Sequence, residues 1–223
     1  MRPKSTKNCE GCEECEQPVT TNSIKDGMWS SLLQHKKILI NGEIDDSLIE
    51  RAVMQIVLFN EYDDEQESLI KNYVREPIHV IIHSDGGSLD AAFALISVIE
   101  ESKTMVHTSV LGKAYSAGFL ILIAGDYRTA GRYSRAMLHQ GSSGISGDFS
   151  RNIKYAKHWE KIQNQVDKYV VEKTKIKGKK LTEIFETSTD WYFDAEEMMK
   201  FGVVDDIQGI TDVPVEEVED DVE

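Results

Sequence analysis

The chain has 223 residues, of which 40% are hydrophobic, and its formal net charge is -14 at pH 7. This length and apolar content allow one domain with a sizeable core and short appendages. The negative charge argues against nucleic acid and anionic membranes as partners, and the sequence has no apolar run long enough to span a bilayer.

The first 22 residues are polar and are predicted to form a flexible arm. They hold all three cysteines, Cys9, Cys12 and Cys15, so the rest of the chain gives no sign of a disulfide framework. Three thiolates are one ligand short of a structural zinc site, and a solvated tail is therefore favoured over metal binding. The arm lacks the apolar segment of a secretory signal, and the reducing cytoplasm is the expected compartment.

Residues 36–41 predict a short strand that ends at Gly42. Ser47 and Glu50 predict a capping box, which would start a helix with apolar residues at helical spacing. Residues 61–76 are rich in charge and are interpreted as a connection.

Two strand-turn-helix units follow one another in residues 78–125. The predicted strands are 78–83 and 105–111, and the predicted helices are 89–100 and 117–124. This repeat predicts an α/β fold with a parallel sheet and right-handed crossover helices. Ligands of such folds bind beyond the carboxyl ends of the strands, where both turns would lie.

After Gly125 a hairpin-like stretch is predicted to end in a strand over 136–139. Residues 141–150 are rich in glycine and serine and are interpreted either as a linker or as a segment that binds an extended substrate. A long helix over about 150–173 carries one apolar stripe: Ile153, Ala156, Trp159, Ile162, Val166 and Val170. The stripe would pack either on its own domain or on another subunit.

Near the C-terminus, Asp194 and Glu197 predict a capping box for a helix that ends at Gly202. Residues 212–223 are acidic and are predicted to be a disordered tail.

Ser116 lies in the second strand-to-helix turn among small neighbours, and the adjacent helix N-terminus favours developing negative charge. It is a candidate nucleophile, although a helix N-cap is an equally physical role for a serine there. In the first turn, Gly86 and Gly87 let backbone N–H groups approach a carbonyl without a Cβ in the way.

The N–H groups of Gly87 and Ala117 would form an oxyanion hole. The alternatives for the glycine pair are a tight turn or a phosphate-binding loop, but neither GxGxxG nor the P-loop pattern is present.

A serine nucleophile needs a general base, and His139 is the best candidate of the six histidines because it ends a predicted apolar strand beside Ser116. A structural histidine at a strand end is the alternative. Asp190 is the candidate acid that would hold the other imidazole nitrogen. The chain order of the three residues is then Ser, His, Asp, and neither a metal nor a cofactor is required.

These residues sit in motifs that resemble the proteolytic subunit of the Clp protease, the ClpP family. The motifs are SDGGSLDAA, AYSAGFLILIAG, AMLHQ and TDWYFDAEEMMKFGVVDDI, and the resemblance runs from about residue 30 to residue 207. It departs from the family at Asp85 and Gly141, where proline is usual, and in a shorter loop before Arg128. The chain is therefore identified as a divergent member, of either cellular or phage origin.

The resemblance implies a ClpP/crotonase-like fold with a protruding handle helix over about 150–173, within a peptidase domain spanning residues 23–211. It implies Ser116, His139 and Asp190 as the triad, with Gly87 and Ala117 as the oxyanion hole. It further implies a homo-oligomer of two stacked seven-membered rings, with polypeptide substrates. The alternatives are a crotonase-type acyl-CoA enzyme and a non-catalytic relative of ClpP.

Clp peptidases generally take substrate from an AAA+ unfoldase that docks apolar loops into pockets on the ring. The matching positions here are His79, Ile81, Glu101, Thr129, Gly131 and Gln208. Only Ile81 suits an apolar anchor, and anchors carry most of an interface's energy. The resemblance therefore predicts weak binding of the usual unfoldase. A different partner, or a ClpP relative in a mixed ring, would then control the entry of substrate.

Overall fold

The computed structural model describes residues 21–209 except 142, 143, 145 and 188. The predicted acidic tail lies outside the described residues, as does the predicted arm apart from its last two residues, which begin the first helix. The helices are α1 (Thr21–Gln34), α2 (Met54–Leu69), α3 (Leu89–Glu101), α4 (Ala117–Leu122), α5 (Phe149–Lys173), α6 (Gly178–Glu186) and α7 (Ala195–Lys200), and a π-helical segment (Ile49–Val53) leads into α2.

The strands are β1 (Lys37–Ile44), β2 (Ile78–Gly87), β3 (Val106–Tyr115), β4 (Tyr127–Gly131), β5 (Arg135–Leu138), β6 (Trp191–Phe193) and β7 (Asp206–Gln208). The main sheet has the order β1-β2-β3-β4-β7 and is parallel throughout, while β5 pairs with β3 and carries β6 at its other edge. The predicted α/β fold with a parallel sheet and crossover helices is confirmed.

The prediction of a hairpin after Gly125 is wrong. β4 and β5 do not pair with each other, because each pairs in parallel with a different half of β3. The first half of β3 (107–110) pairs with β4, and the second half (113–115) pairs with β5. This fork places the end of β5 beside the turn that follows β3.

Both central strands run further than predicted. β2 continues through the predicted turn to Gly87 because β1 also extends past Gly42, with a register shift between Asn41 and Glu43. Ser84 likewise pairs with Ala114 in the extended part of β3. The two glycines therefore lie on a paired strand end and not in a free loop.

The prediction that residues 61–76 form a connection is wrong for its first half, because α2 continues to Leu69. Several charged side chains of this segment are paired, and Arg75 bonds to both Asp64 and Glu67. The predicted capping box at Ser47 is also absent, because the Ser47 hydroxyl and N–H both donate to Asp45.

The core lies between one face of the sheet and the layer formed by α3, α4 and the π-helical segment. Alternate residues of β2, Ile78, Val80 and Ile82, face this core, while His79 and Ile81 on the other face are half-buried. This alternation follows from the period of two along a strand.

The apolar stripe of α5 divides into two parts. Val166 and Val170 are buried in the core of the same chain, whereas Ile153 is 41% exposed and Phe149, at the start of the helix, is 80% exposed. Self-packing therefore explains the second half of the stripe only.

Two boundary signals near the C-terminus are confirmed. Asp194 accepts a hydrogen bond from the N–H of Glu197, and the Glu197 carboxylate accepts one from the N–H of Asp194. Gly202 follows α7 with φ +68°, a left-handed conformation that favours glycine.

Among the described helices, none combines the length and the apolarity that crossing a membrane requires.

A buried ion pair ties α2 to the start of β1. Lys36 Nζ lies 2.6 Å from Asp63, whose side chain is fully buried and also accepts hydrogen bonds from Tyr73 and Thr104. Burial alone would raise the pKa of the Asp63 carboxyl, but these hydrogen bonds outweigh it and hold the pKa below its ordinary value. The carboxylate form is therefore the one that stabilises the fold.

We expect Lys36→Met to lower the free energy of unfolding by about 3 kcal/mol, because it strands a buried carboxylate. The pKa of Asp63 is depressed in the folded chain, so the stabilisation is present above the ordinary aspartate pKa and is lost as pH falls through the lower folded value. Urea titrations between pH 3 and 7 should show that the variant loses part of this acid sensitivity. Lys37→Met, at the exposed neighbouring position, is the control, and an equal loss in both variants would contradict the account.

Candidate active site

Ser116 occupies a sharp turn between β3 and α4. Its backbone has φ +54° and ψ -118°, a sparsely populated conformation for a residue other than glycine. Its N–H donates to the carbonyl of Met137 at 2.9 Å, which fixes the turn against β5. The serine side chain makes no capping hydrogen bond to α4, so the alternative role as a side-chain N-cap is not observed.

Strand register brings the other two candidate residues to this turn. Tyr115 pairs with Met137 in the parallel β3–β5 ladder, so His139 follows β5 beside Ser116. Leu138 pairs with Trp191 in the antiparallel β5–β6 ladder, which places Asp190 opposite His139. Three segments far apart in sequence thus meet at one corner of the sheet.

The three side chains are ordered as nucleophile, base and acid. His139 Nε2 lies 2.8 Å from the Ser116 hydroxyl, and His139 Nδ1 lies 3.5 Å from Asp190 Oδ1. The second distance is longer than a good hydrogen bond. Asp190 Oδ2 also accepts a hydrogen bond from the Tyr192 hydroxyl at 3.4 Å, so both carboxylate oxygens have a partner.

The glycine pair lies against the same turn, and the two glycines make different contacts. A Cβ at Gly86, where φ is +100°, would come within 2.7 Å of the Tyr115 carbonyl oxygen and 2.8 Å of Ser116 Cβ. A Cβ at Gly87 would instead meet the Ile44 carbonyl oxygen at 2.1 Å. Only glycine therefore lets the end of β2 approach the serine turn this closely.

Ala117 is the first residue of α4, so its N–H has no partner within the helix. Gly87 and Ser116 line the same cleft. Ala117 thus follows the serine directly and Gly87 shares its cleft, while their role as an oxyanion hole stays a prediction.

Ser84 supports the end of β2 that carries Gly86 and Gly87, and this role was not predicted from the sequence. Its buried hydroxyl donates to the Gly42 carbonyl at 2.5 Å and accepts from the Gly86 N–H at 3.0 Å. It thereby joins the ends of β1 and β2 beneath Ser116. The signal available in the sequence was a polar residue at an inward-facing position of an apolar strand.

A cleft of about 790 Å³ opens over Ser116 and His139. One wall is provided by α5 with side chains that carry no permanent charge: Tyr155, His158, Trp159, Ile162 and Val166. The rest of the lining includes five carboxylates, called the carboxylate wall below: Glu43, Asp45, Asp46, Asp85 and Asp90. Neither wall was part of the predicted site, although the carboxyl-end rule for parallel strands also applies to the end of β1.

The arrangement is suited to acyl transfer, because a hydroxyl, an imidazole and backbone N–H groups converge on one cleft. Within the described ranges, no group of three or more histidine, cysteine or carboxylate side chains has the geometry to hold a metal ion. The three cysteines, for which a solvated tail was favoured over metal binding, lie outside those ranges.

Comparison with known proteins agrees with this geometry. The family model described as Clp protease matches residues 21–211. The ATP-dependent Clp protease proteolytic subunit 2 of Treponema pallidum is 30% identical over 194 residues, covering 86% of this chain and 92% of the relative.

Two Bacillus proteins are similar at the same level. Proteolytic subunit 2 of Bacillus licheniformis is 29% identical over 80% of this chain and 88% of its own length, and subunit 1 of Bacillus cereus is 30% identical over 81% and 88%. The chain therefore belongs to the Clp protease family as a divergent proteolytic subunit.

Proposed function

We propose that the protein is a cytoplasmic serine endopeptidase that hydrolyses unfolded polypeptides inside an oligomeric chamber. The observation that carries the proposal is the 2.8 Å contact between His139 Nε2 and the hydroxyl of Ser116, on a strained turn at the floor of the cleft. Phosphonylation of Ser116 by a serine-directed fluorophosphonate, with loss of fluoride, tests it, as the last paragraph of the Discussion describes.

In the acylation step, the Ser116 oxygen attacks the carbonyl carbon of the scissile peptide bond while His139 Nε2 takes the hydroxyl proton. The resulting oxyanion accepts hydrogen bonds from the N–H groups of Gly87 and Ala117. His139 then gives its proton to the leaving amine as the C–N bond breaks, which leaves an acyl ester on Ser116.

In the second step a water molecule attacks the ester, again with His139 as the base, and Ser116 recovers its proton. Asp190 holds the Nδ1–H tautomer of His139 and stabilises the imidazolium that forms twice in the cycle. The 3.5 Å separation of His139 and Asp190 is compatible with this role, since catalytic hydrogen bonds are often long without substrate.

The acyl-CoA alternative is not favoured. A coenzyme A ester would bring phosphates toward the cleft, and the carboxylate wall of Glu43, Asp46 and Asp90 would repel them. The non-catalytic alternative is not favoured either. A protein without catalytic activity would have no need to hold Ser116 in a strained backbone conformation against His139.

We also propose that the subunit assembles into two stacked seven-membered rings. The support is the exposed N-terminal end of the α5 stripe, together with relatives whose names describe subunits of a protease. The contact surface then includes Phe149 and Ile153, while Val166 and Val170 stabilise the subunit itself.

We expect Ile153→Glu to split the assembly before it unfolds the subunit, because it buries a charge at the interface but touches no core residue. Light scattering at micromolar concentration should show a large particle for the wild type and a smaller one for the variant, with unchanged circular dichroism. Gln165→Glu, on another side of the same helix, is the control. A monomeric wild type in native salt would contradict the proposal.

Most side chains at the positions that would receive an unfoldase are polar. Thr129 Oγ1 lies 2.8 Å from Ser109 Oγ and accepts a hydrogen bond from Gln208 at 3.1 Å, and the edge of the His79 ring packs against His107. Docking an apolar side chain here would break these hydrogen bonds without replacing them. We therefore expect a standard Clp unfoldase to bind weakly or not at all.

Native mass spectrometry with such an unfoldase and ATP measures this directly, and the expected result is the peptidase assembly alone. The outcome that would overturn the expectation is a stable complex together with ATP-stimulated degradation of a folded, tagged substrate.

A further inference from the structure

The carboxylate wall of the cleft has a fixed position relative to Ser116. Glu43 pairs in the β1–β2 ladder with Gly86, whose Cα abuts the serine turn. Asp45 and Asp46 continue from the end of β1, and Asp90 lies in the first turn of α3, three residues after Gly87. The backbone therefore holds carboxylates both beside and after the glycine pair at the end of β2.

Two of the five carboxylates are partly neutralised, and three are not. Asp85 forms an ion pair with Lys113 at 2.6 Å, and Asp45 lies 3.8 Å from Arg51. Glu43, Asp46 and Asp90 have no ion-pair partner among the residues that the structure describes, and all three are exposed. The cleft wall thus carries a net negative charge that a ligand could meet.

The lining of this cleft contains no lysine or arginine among the described residues, although α5 is rich in lysine. The cations beside it, Lys113 and Arg51, are the ones that pair with Asp85 and Asp45. The α5 residues Lys161 and Lys168 line a separate groove against α3. The unpaired carboxylates of the cleft are therefore not offset by a cation in its lining.

The α5 side of the cleft provides the apolar part of the lining. Trp159 lines the cleft from α5, together with Ile162 and Val166. An apolar lining of this kind suits an apolar side chain of a ligand.

We propose that this cleft selects cationic polypeptides: segments in which an apolar residue is flanked by lysine or arginine. Glu43, Asp46 and Asp90 are the specificity-determining residues, while the α5 wall receives the apolar side chain. The inference rests on the proposed peptidase function and adds the class of substrate. Partial shielding by solvent makes each attraction modest, but three charges act on the same ligand.

The test compares two quenched fluorescent heptapeptides with a central leucine, flanked either by lysine or by glutamate. In low salt, the full-length wild type should cleave the lysine peptide with a kcat/KM about tenfold higher than that for the glutamate peptide. The ratio of the two kcat/KM values should fall toward one as salt screens the charges. The variant Glu43→Gln/Asp46→Asn/Asp90→Asn should lose most of the preference, whereas Glu196→Gln, an exposed change on α7, should keep it.

Binding separates a failure of this inference from a failure of the proposed function. Fluorescence anisotropy of the same peptides without quencher on the Ser116→Ala protein reports selection without cleavage. Tighter, salt-sensitive binding of the lysine peptide supports the inference even if the wild type hydrolyses nothing. Equal binding of both peptides, or a preference that survives in the triple variant, would overturn it.

Discussion

Replacing Ser116 by alanine is expected to lower peptide hydrolysis by roughly 10⁶-fold, the size of loss typical of a nucleophile in an intact triad. His139→Ala should cost about as much, and the double variant little more, because nucleophile and base act as one unit. The measurement is the initial rate of fluorogenic peptide cleavage at saturating substrate.

Ser97→Ala is the matched control, since Ser97 is exposed on α3 and donates only to the backbone of its own helix. Its rate should equal that of the wild type. A Ser116→Ala protein with nearly full activity would show that another group is the nucleophile.

Gly86→Ala is expected to lower kcat by about 10²- to 10³-fold, the range associated with loss of one oxyanion-hole donor. The added Cβ cannot fit between the Tyr115 carbonyl and Ser116 Cβ, so the end of β2 must move away from the serine turn. Backbone donors stabilise the oxyanion of the transition state only when they are held in the right position. Because they contribute less to substrate binding, KM should change less than kcat.

Gly42→Ala separates crowding from backbone strain. Gly42 has φ +94°, similar to the +100° of Gly86, but a Cβ there meets nothing within 4 Å. Both variants should lose stability in thermal melting, since both force alanine into a left-handed conformation, and Gly86→Ala should lose more because of its added clash. Equal losses of kcat in the two variants would contradict a specific role for the Gly86 contact.

The sequence was sufficient to predict the parallel sheet and the meeting of Gly87, Ser116 and His139. Parallel strands end at the same edge, so residues that follow neighbouring strands must lie close together. Asp190 was predicted as the acid that holds the second imidazole nitrogen of His139. The register of β5 and β6 explains why it lies opposite His139.

Other features depend on contacts that no local pattern reveals. α2 extends through a charged segment because Lys36, 27 residues earlier, neutralises Asp63 in the core. β4 and β5 are short, and their sequences do not say which half of β3 each will join. The carboxylates at the end of β1 resemble those of an ordinary polar strand end, and only the fold shows that they line the same cleft as Ser116.

The most direct test of the central claim is covalent labelling by a fluorophosphonate, which reacts with activated serines. Mass spectrometry of the digested wild type should find one labelled peptide, with the phosphonate on Ser116, and the label should be lost in His139→Ala. A hydrolytically active protein that stays unlabelled, or that carries the label on another residue, would contradict the account.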